Sequence, residues 1–271
     1  MKIFAIRDET DNARKDLAYL LYYETDKRFY IELPENADPW ETPLLLSSFA
    51  QKGEHTINSY WSKLWVQQRI VPPDRQNIGQ VLRDNGLEGY DEYGLLMLCA
   101  GRCEQDDYYL VPVDESTLPE EIVHRFSMKL EDVVPLQNSC LLVFFRDGTV
   151  RKCDLTEYFE KTQRFSILGK RPDYFRHVRM QTGGYGVQWD ENLSIPDSVL
   201  FRMGKRVPLT ADDFKAFASE RIINAAEAAE ILNCSRQYIN ELVRTEKLHP
   251  VKVSEKSTLF LKSEVLRRSW H

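Results

Sequence analysis

The chain has 271 residues, with 36 Lys and Arg against 42 Asp and Glu, a formal net charge of -6 and a hydrophobic fraction of 42%. That length exceeds one typical core and predicts two or three domains, while the acidic balance argues against indiscriminate nucleic-acid binding. No apolar run approaches the ~18 residues of a membrane span, and the start lacks the apolar stretch and small-residue cleavage site of a secretory signal, so the expectation is a cytoplasmic protein with no membrane association.

Residues 1–120 form the first predicted domain, acidic and α-rich, with 12 Lys and Arg against 22 Asp and Glu. Phe4 and Ile6 suggest a strand, and residues 17–23 and 29–33 give an aromatic-rich opening. Helical spacing recurs at residues 44–50, 59–66 and 78–83; Pro72 and Pro73 separate the last two, and Asn85-Gly86 ends the third. Arg69, Arg75, Arg83 and Arg102, with Trp61 and Trp65, have the composition of an anion or nucleic-acid surface. The competing reading puts the tryptophans in a core and pairs the arginines with Asp74, Asp84, Glu88, Asp91 and Asp106, and the local acidity favours it. Glu104, Asp106 and Asp107 lack a regular calcium-loop spacing. An acidic, aromatic surface is most economically used against a protein partner.

Five cysteines, at 99, 103, 140, 153 and 234, are odd in number and scattered, which is no disulfide framework. Cys99 and Cys103 lack two further ligands at zinc spacing, and Cys99 ends an apolar run, so no metal is expected and Cys99 reads as a small core residue.

Residues 121–208 form the second predicted domain, a small α+β sheet. The apolar runs 139–145 and 149–154 flank Asp147-Gly148, a strong hairpin signal. A short helix begins at residues 155–159, residues 175–181 read as a third strand and 183–189 as a fourth, Asp190 to Asn192 turn, and residues 195–201 close the unit. Asp147, Asp154, Asp190 and Asp197 have the chemistry of acid–base catalysts, yet turn and cap roles account for them more simply. Gly183, Gly184 and Gly186 lack the spacing and following helix of a dinucleotide loop and fit a strand bend. The stretch resembles a family of small bacterial domains of unknown function, through Phe144, Asp147, Gly148, Asp154, Leu155, Phe165, Leu168, Phe175, Trp189, Asp190, Ile195, Pro196 and Asp197. Some members of that family are followed by a helix-turn-helix, which implies a regulatory protein by analogy.

Residues 209–271 form the third predicted domain, and residues 221–271 carry 9 Lys and Arg against 6 Asp and Glu. Asn224 is placed to cap a helix and Glu227 to complete a capping box. Ala225, Ala228, Ala229 and Leu232 make a small-residue face for a second helix. Ser235 caps that second helix; Ile239, Leu242 and Val243 point inward at helical spacing, leaving Arg236, Gln237, Asn240, Glu241 and Arg244 outside. Residues 248–253 and 258–261 alternate as strands around a polar turn, and Ser263 is placed to cap a last helix running to Trp270. Helix, turn, helix, hairpin, helix is the order of a winged helix-turn-helix.

The segment resembles the excisionase and MerR-type DNA-binding family. Glu227 to Leu232, Ser235 with Arg236, the strand at Leu248, Pro250, Val251, Lys252 and Val253, and the terminal helix ending in Trp270 carry the likeness. Glu246 stands where the family often has Gly. The resemblance implies that Ser235, Arg236, Gln237, Tyr238 and Asn240 lie at the groove and that Arg244, Lys252 and Lys256 meet the DNA backbone. Gln and Asn pair with adenine, Arg with guanine, and Lys with phosphate.

The expected fold is α+β and multidomain: a mostly helical N-terminal domain, a small antiparallel-sheet middle domain and a C-terminal winged helix-turn-helix. The expected function is sequence-specific binding of double-stranded DNA by a bacterial transcriptional regulator that is a homo-oligomer or has a protein partner. It needs no cofactor and is not an enzyme, since the phosphate-loop, nucleophile-elbow and zinc-helix motifs are missing from the sequence. The alternative is an antitoxin-like module whose helical tail contacts protein.

Overall fold

The computed structural model describes residues 1–206, 208, 211–254 and 257–270. The chain falls into two compact units, residues 1–124 and 125–271. With 39% helix, 24% strand and several antiparallel sheets, it is mixed helix and sheet, as the sequence predicts at the level of class.

In the first unit, β1 (Lys2–Asp8), β2 (Ala18–Tyr23) and β3 (Arg28–Glu32) run antiparallel to one another. They are followed by α1 (Leu44–Gln51), β4 (Thr56–Ile57), α2 (Ser59–Gln67), α3 (Ile78–Asp84), α4 (Glu92–Leu98) and β5 (Tyr108–Pro112). The strands form one five-stranded sheet in the order β4-β3-β2-β1-β5. The mostly helical expectation for residues 1–120 is thereby corrected: the three predicted helices are present as α1, α2 and α3, but a sheet is the scaffold on which they pack. Phe4, Ile6, Leu20, Phe29 and Ile31 share a core with Leu46, Trp65, Val66 and Leu96 from the helices. Because all six positions of β2 are buried, the strand has no polar alternation to reveal it.

Trp65 is a core residue, and Arg69 lies over its ring at 3.8 Å while pairing with Asp106. Arg102 pairs with Glu9 at 2.5 Å. Arg69 thus meets one of the acids read from the sequence, whereas Arg102 meets Glu9, which is not among them. Trp40, Leu44 and Tyr60 remain strongly exposed.

From the first unit, α5 (Glu120–Ser127) carries the chain into the second. There β6 (Leu130–Pro135), β7 (Cys140–Phe145) and β8 (Val150–Asp154) form an antiparallel meander. Asp147 accepts the Thr149 amide at 2.8 Å beside Gly148, whose φ of 81° suits only glycine, so the β7–β8 hairpin turns where the sequence places it. The chain continues through α6 (Thr156–Lys161), α7 (Ser166–Lys170), α8 (Pro172–Phe175), β9 (Arg179–Met180), β10 (Gly186–Gln188), β11 (Ser194–Pro196), α9 (Asp197–Met203) and β12 (Lys205–Arg206). Two sheets result, β12-β8-β7-β6 and β11-β10-β9. Residues 175–181 are not one strand: Pro172 starts a helical turn that ends at Phe175, and only Arg179 and Met180 pair. Gly184 has a positive φ, and a Cβ there would collide with the Leu130 carbonyl, so the glycine turn passes hard against the start of β6.

Three of the four aspartates of this region, Asp147, Asp154 and Asp190, are engaged locally. Asp154 accepts the Thr156 amide at 3.0 Å, and Asp190 accepts those of Asn192 and Leu193, each at 2.8 Å. Asp197 departs from its expected turn or cap role: it is buried and pairs with buried Lys129 at 3.0 Å.

The C-terminal elements are α10 (Ala211–Arg221), β13 (Ile222–Asn224), α11 (Ala225–Ile231), α12 (Arg236–Arg244), β14 (Lys252–Val253), β15 (Thr258–Leu261) and α13 (Lys262–Ser269). Their strands form a sheet in the order β13-β15-β14. Ser263 is not the cap of the last helix. The helix begins directly off β15 with Leu261 at its N-cap, and Ser263 is buried. Among the described residues no helix is long and apolar enough to cross a membrane.

Candidate nucleic-acid interface

The interface is built from α11 upward. Asn224 Oδ1 accepts the amides of Ala226 at 2.8 Å and Glu227 at 3.1 Å, and Glu227 Oε2 accepts the Asn224 amide at 2.8 Å. This reciprocal capping box satisfies donors that a helix start leaves open. Ala228 and Ala229 are buried; as the smallest side chains, they let α12 pack close to α11. At the turn, Asn233 takes a left-handed φ of 48°, a conformation asparagine tolerates better than most residues. The Cys234 amide closes back on the Ala229 carbonyl at 3.0 Å.

Ser235 then caps α12, its Oγ accepting the Tyr238 amide at 3.2 Å. Ile239 and Leu242 are buried among Ile223, Ala228, Ala229, Leu248, Phe260 and Val265, and Val243 packs against that core half-buried. With one face fixed inward, the other is dictated by helical period. Ser235, Arg236, Gln237, Tyr238 and Asn240 are all exposed, Tyr238 at 51%. The residues that the resemblance assigns to the groove are therefore uncovered by the rest of the module.

Arg244 is exposed but not free. Its guanidinium grips Glu241 at 2.9 and 2.6 Å, which raises its already high pKa further. A residue assigned to the DNA backbone thus starts in competition with a neighbour on its own helix. After α12, Glu246 has a φ of 55°, the left-handed geometry that accounts for glycine at this place in the resembled family.

Lys252 is exposed on β14, which pairs with β15 through Lys252–Leu259 and Val253–Thr258. Ser254 and Ser257 tie the hairpin end together, the Ser254 amide reaching the Ser257 carbonyl at 2.9 Å. Lys256 lies outside the described residues. The base of the hairpin is anchored to α13: Glu264 accepts the His249 amide at 2.8 Å and contacts its Nδ1 at 3.0 Å. Among the described residues no group of three or more His, Cys, Asp and Glu side chains is arranged to hold a metal ion.

Sequence reasoning missed the residues that join this module to the rest of its unit. Arg221 pairs with Asp132 at 3.0 Å and Arg267 with Glu131 at 2.9 Å. Nothing local marks either pair, because the partners lie far apart along the chain.

Comparison with curated proteins and with solved structures finds no match. Comparison with protein families finds one described as a helix-turn-helix domain, matching residues 223–268. The match begins in β13 and ends in α13, enclosing both capped helices and the hairpin, and this class of domain suggests DNA binding. Residues 223–268 of this chain form a helix-turn-helix domain of the excisionase-like kind.

Proposed function

We propose that the chain is a sequence-specific binder of double-stranded DNA that acts as a transcriptional regulator. In this reading α12 enters the major groove, where Arg236 reads guanine and Gln237 and Asn240 read adenine, with Tyr238 against the base edges or sugar. The β14–β15 hairpin is a wing whose Lys252 and Lys256 meet phosphate. The observation that carries the reading is the uncovered polar stripe of α12, backed by buried Ile239 and Leu242 within a matched helix-turn-helix.

One module of modest charge binds weakly, so the active species carries two copies and sets two recognition helices on one duplex. The upstream regions bind partners or sense a signal. Exposed Trp40, Leu44 and Tyr60 in the acidic first unit support that role, since large exposed apolar side chains serve contacts. No catalysis is assigned: the Asp154 and Asp190 carboxylates hold backbone amides, and Asp197 is paired with Lys129.

Selection of bound duplexes from a random pool tests the proposal. Enrichment of one motif, lost on Arg236→Ala in a folded protein, is expected. An unenriched pool together with a stoichiometric protein partner would favour the antitoxin-like alternative, in which the same stripe contacts protein.

A further inference from the structure

Strand β6 contains an irregularity at the place where the C-terminal module attaches. Its register with β7 passes from Leu130 opposite Phe145 to Asp132 opposite Phe144, which leaves Glu131 as an extra residue. Consecutive side chains on a regular strand point to opposite faces, whereas a bulge re-aims them. Here Glu131 and Asp132 both reach the same module. Arg267 of α13 pairs with Glu131 at 2.9 Å. Arg221, immediately before β13, pairs with Asp132 at 3.0 Å and donates to the Val133 carbonyl. Asp132 Oδ1 also accepts the Val133 amide at 2.8 Å.

Both ends of the module are therefore held by one three-residue stretch, 131–133. Asp132 and Ser263 are buried, and Arg221 is nearly so. Burial pushes the Asp132 carboxyl up, while Arg221, the Val133 amide and Ser263 hold it back. A buried charge met from several sides fixes direction as well as distance, because moving any one partner leaves the others uncompensated. The contacts arise from the last residue of α10 and from α13 and leave the stripe of α12 uncovered.

We infer that the Glu131–Asp132 bulge is a socket that holds the helix-turn-helix in one orientation on the middle sheet, and that these two acids are positioning residues for DNA recognition. The second clause rests on the proposed function; the first does not. In a pair of subunits on one duplex, a fixed mount sets the relation between the two recognition helices.

The test uses the full chain. Amide ¹⁵N relaxation of residues 223–268 is compared with that of β6 to β8 in the parent, in Glu131→Arg, in Arg267→Glu and in the double variant, with Asp132→Asn as a second lesion. The parent is expected to show one correlation time for both regions. Each single reversal should shorten that of residues 223–268 by at least a third, and the double variant should restore it. Independent tumbling in the parent, or a double variant no better than either single, overturns the socket.

The DNA arm uses the duplex selected above. Glu131→Arg adds positive charge, so a residue facing phosphate would bind more tightly after this change. The positioning role instead requires a loss of fivefold or more with an unchanged salt slope, recovered in the double variant. Equal or tighter binding by Glu131→Arg overturns that role. Failure of the parent to bind any duplex sinks the functional reading and leaves the relaxation experiment to decide the socket.

Discussion

Glu241 and Arg244 stand one turn apart on α12, and their pairing sets how much positive charge that helix presents. Both are exposed, so the pair contributes little to stability. In the proposed binding mode its effect is larger, because Glu241 both occupies Arg244 and adds a negative charge to the helix that would enter the groove. Glu241→Ala is therefore expected to leave thermal stability nearly unchanged and to tighten binding to any duplex. Freeing one phosphate-contacting cation should steepen the dependence of log K on log salt by about 0.9. A titration at several salt concentrations checks this; an unchanged slope would mean that Arg244 never reaches phosphate. Sequence pattern placed Arg244 outward correctly but gave no rotamer, so the competition with Glu241 became visible only in three dimensions.

At the scale of elements, legibility followed the range of the forces involved. Helices α11 and α12 were readable because their determinants are local: the Asn224 and Glu227 capping box, Ser235 as second cap, and Ile239 and Leu242 at helical spacing. The β7–β8 hairpin was readable for the same reason, through Asp147 and Gly148. The five-stranded sheet of the first unit was largely hidden, since β2 is buried along its length and offers no alternation. A serine before Glu264 carries the local signal of a cap, but the helix starts off β15 with Leu261 at its N-cap two residues earlier, and Ser263 is buried.

Two substitutions exploit the local determinants. Asn224→Ala removes the side-chain half of the capping box, leaving Glu227 on the backbone amide, and should cost about 1 kcal/mol, read as a lower urea midpoint of the transition that includes the C-terminal module. Glu246→Gly relieves a left-handed φ and should add about 1 kcal/mol of stability, less the backbone freedom that glycine gains in the unfolded chain, read as a higher midpoint. A fall on Glu246→Gly would show that the Glu246 side chain contributes contacts that outweigh the strain.

For the whole molecule, charge decides how DNA binding is expressed. A chain of net charge -6 repels phosphate at long range, so affinity must come from the few cations brought into contact rather than from a general basic field. Of the nine Lys and Arg in residues 221–271, Arg221 and Arg267 are engaged with Asp132 and Glu131, and Arg244 with Glu241. Counting Arg236, Lys252 and Lys256 as the charges that displace counterions, one module should give a slope of about -2.7 in log K against log salt. Two modules on one duplex should give about -5.4. Between 50 and 200 mM salt these correspond to losses of roughly fortyfold and roughly two-thousandfold, a difference that a binding titration resolves easily. We expect the steeper value on the selected site and the shallower one on a duplex cut to half of it. A slope near zero on both duplexes would mean that phosphate is not contacted, and the exposed stripe of α12 would then have to serve a protein partner instead.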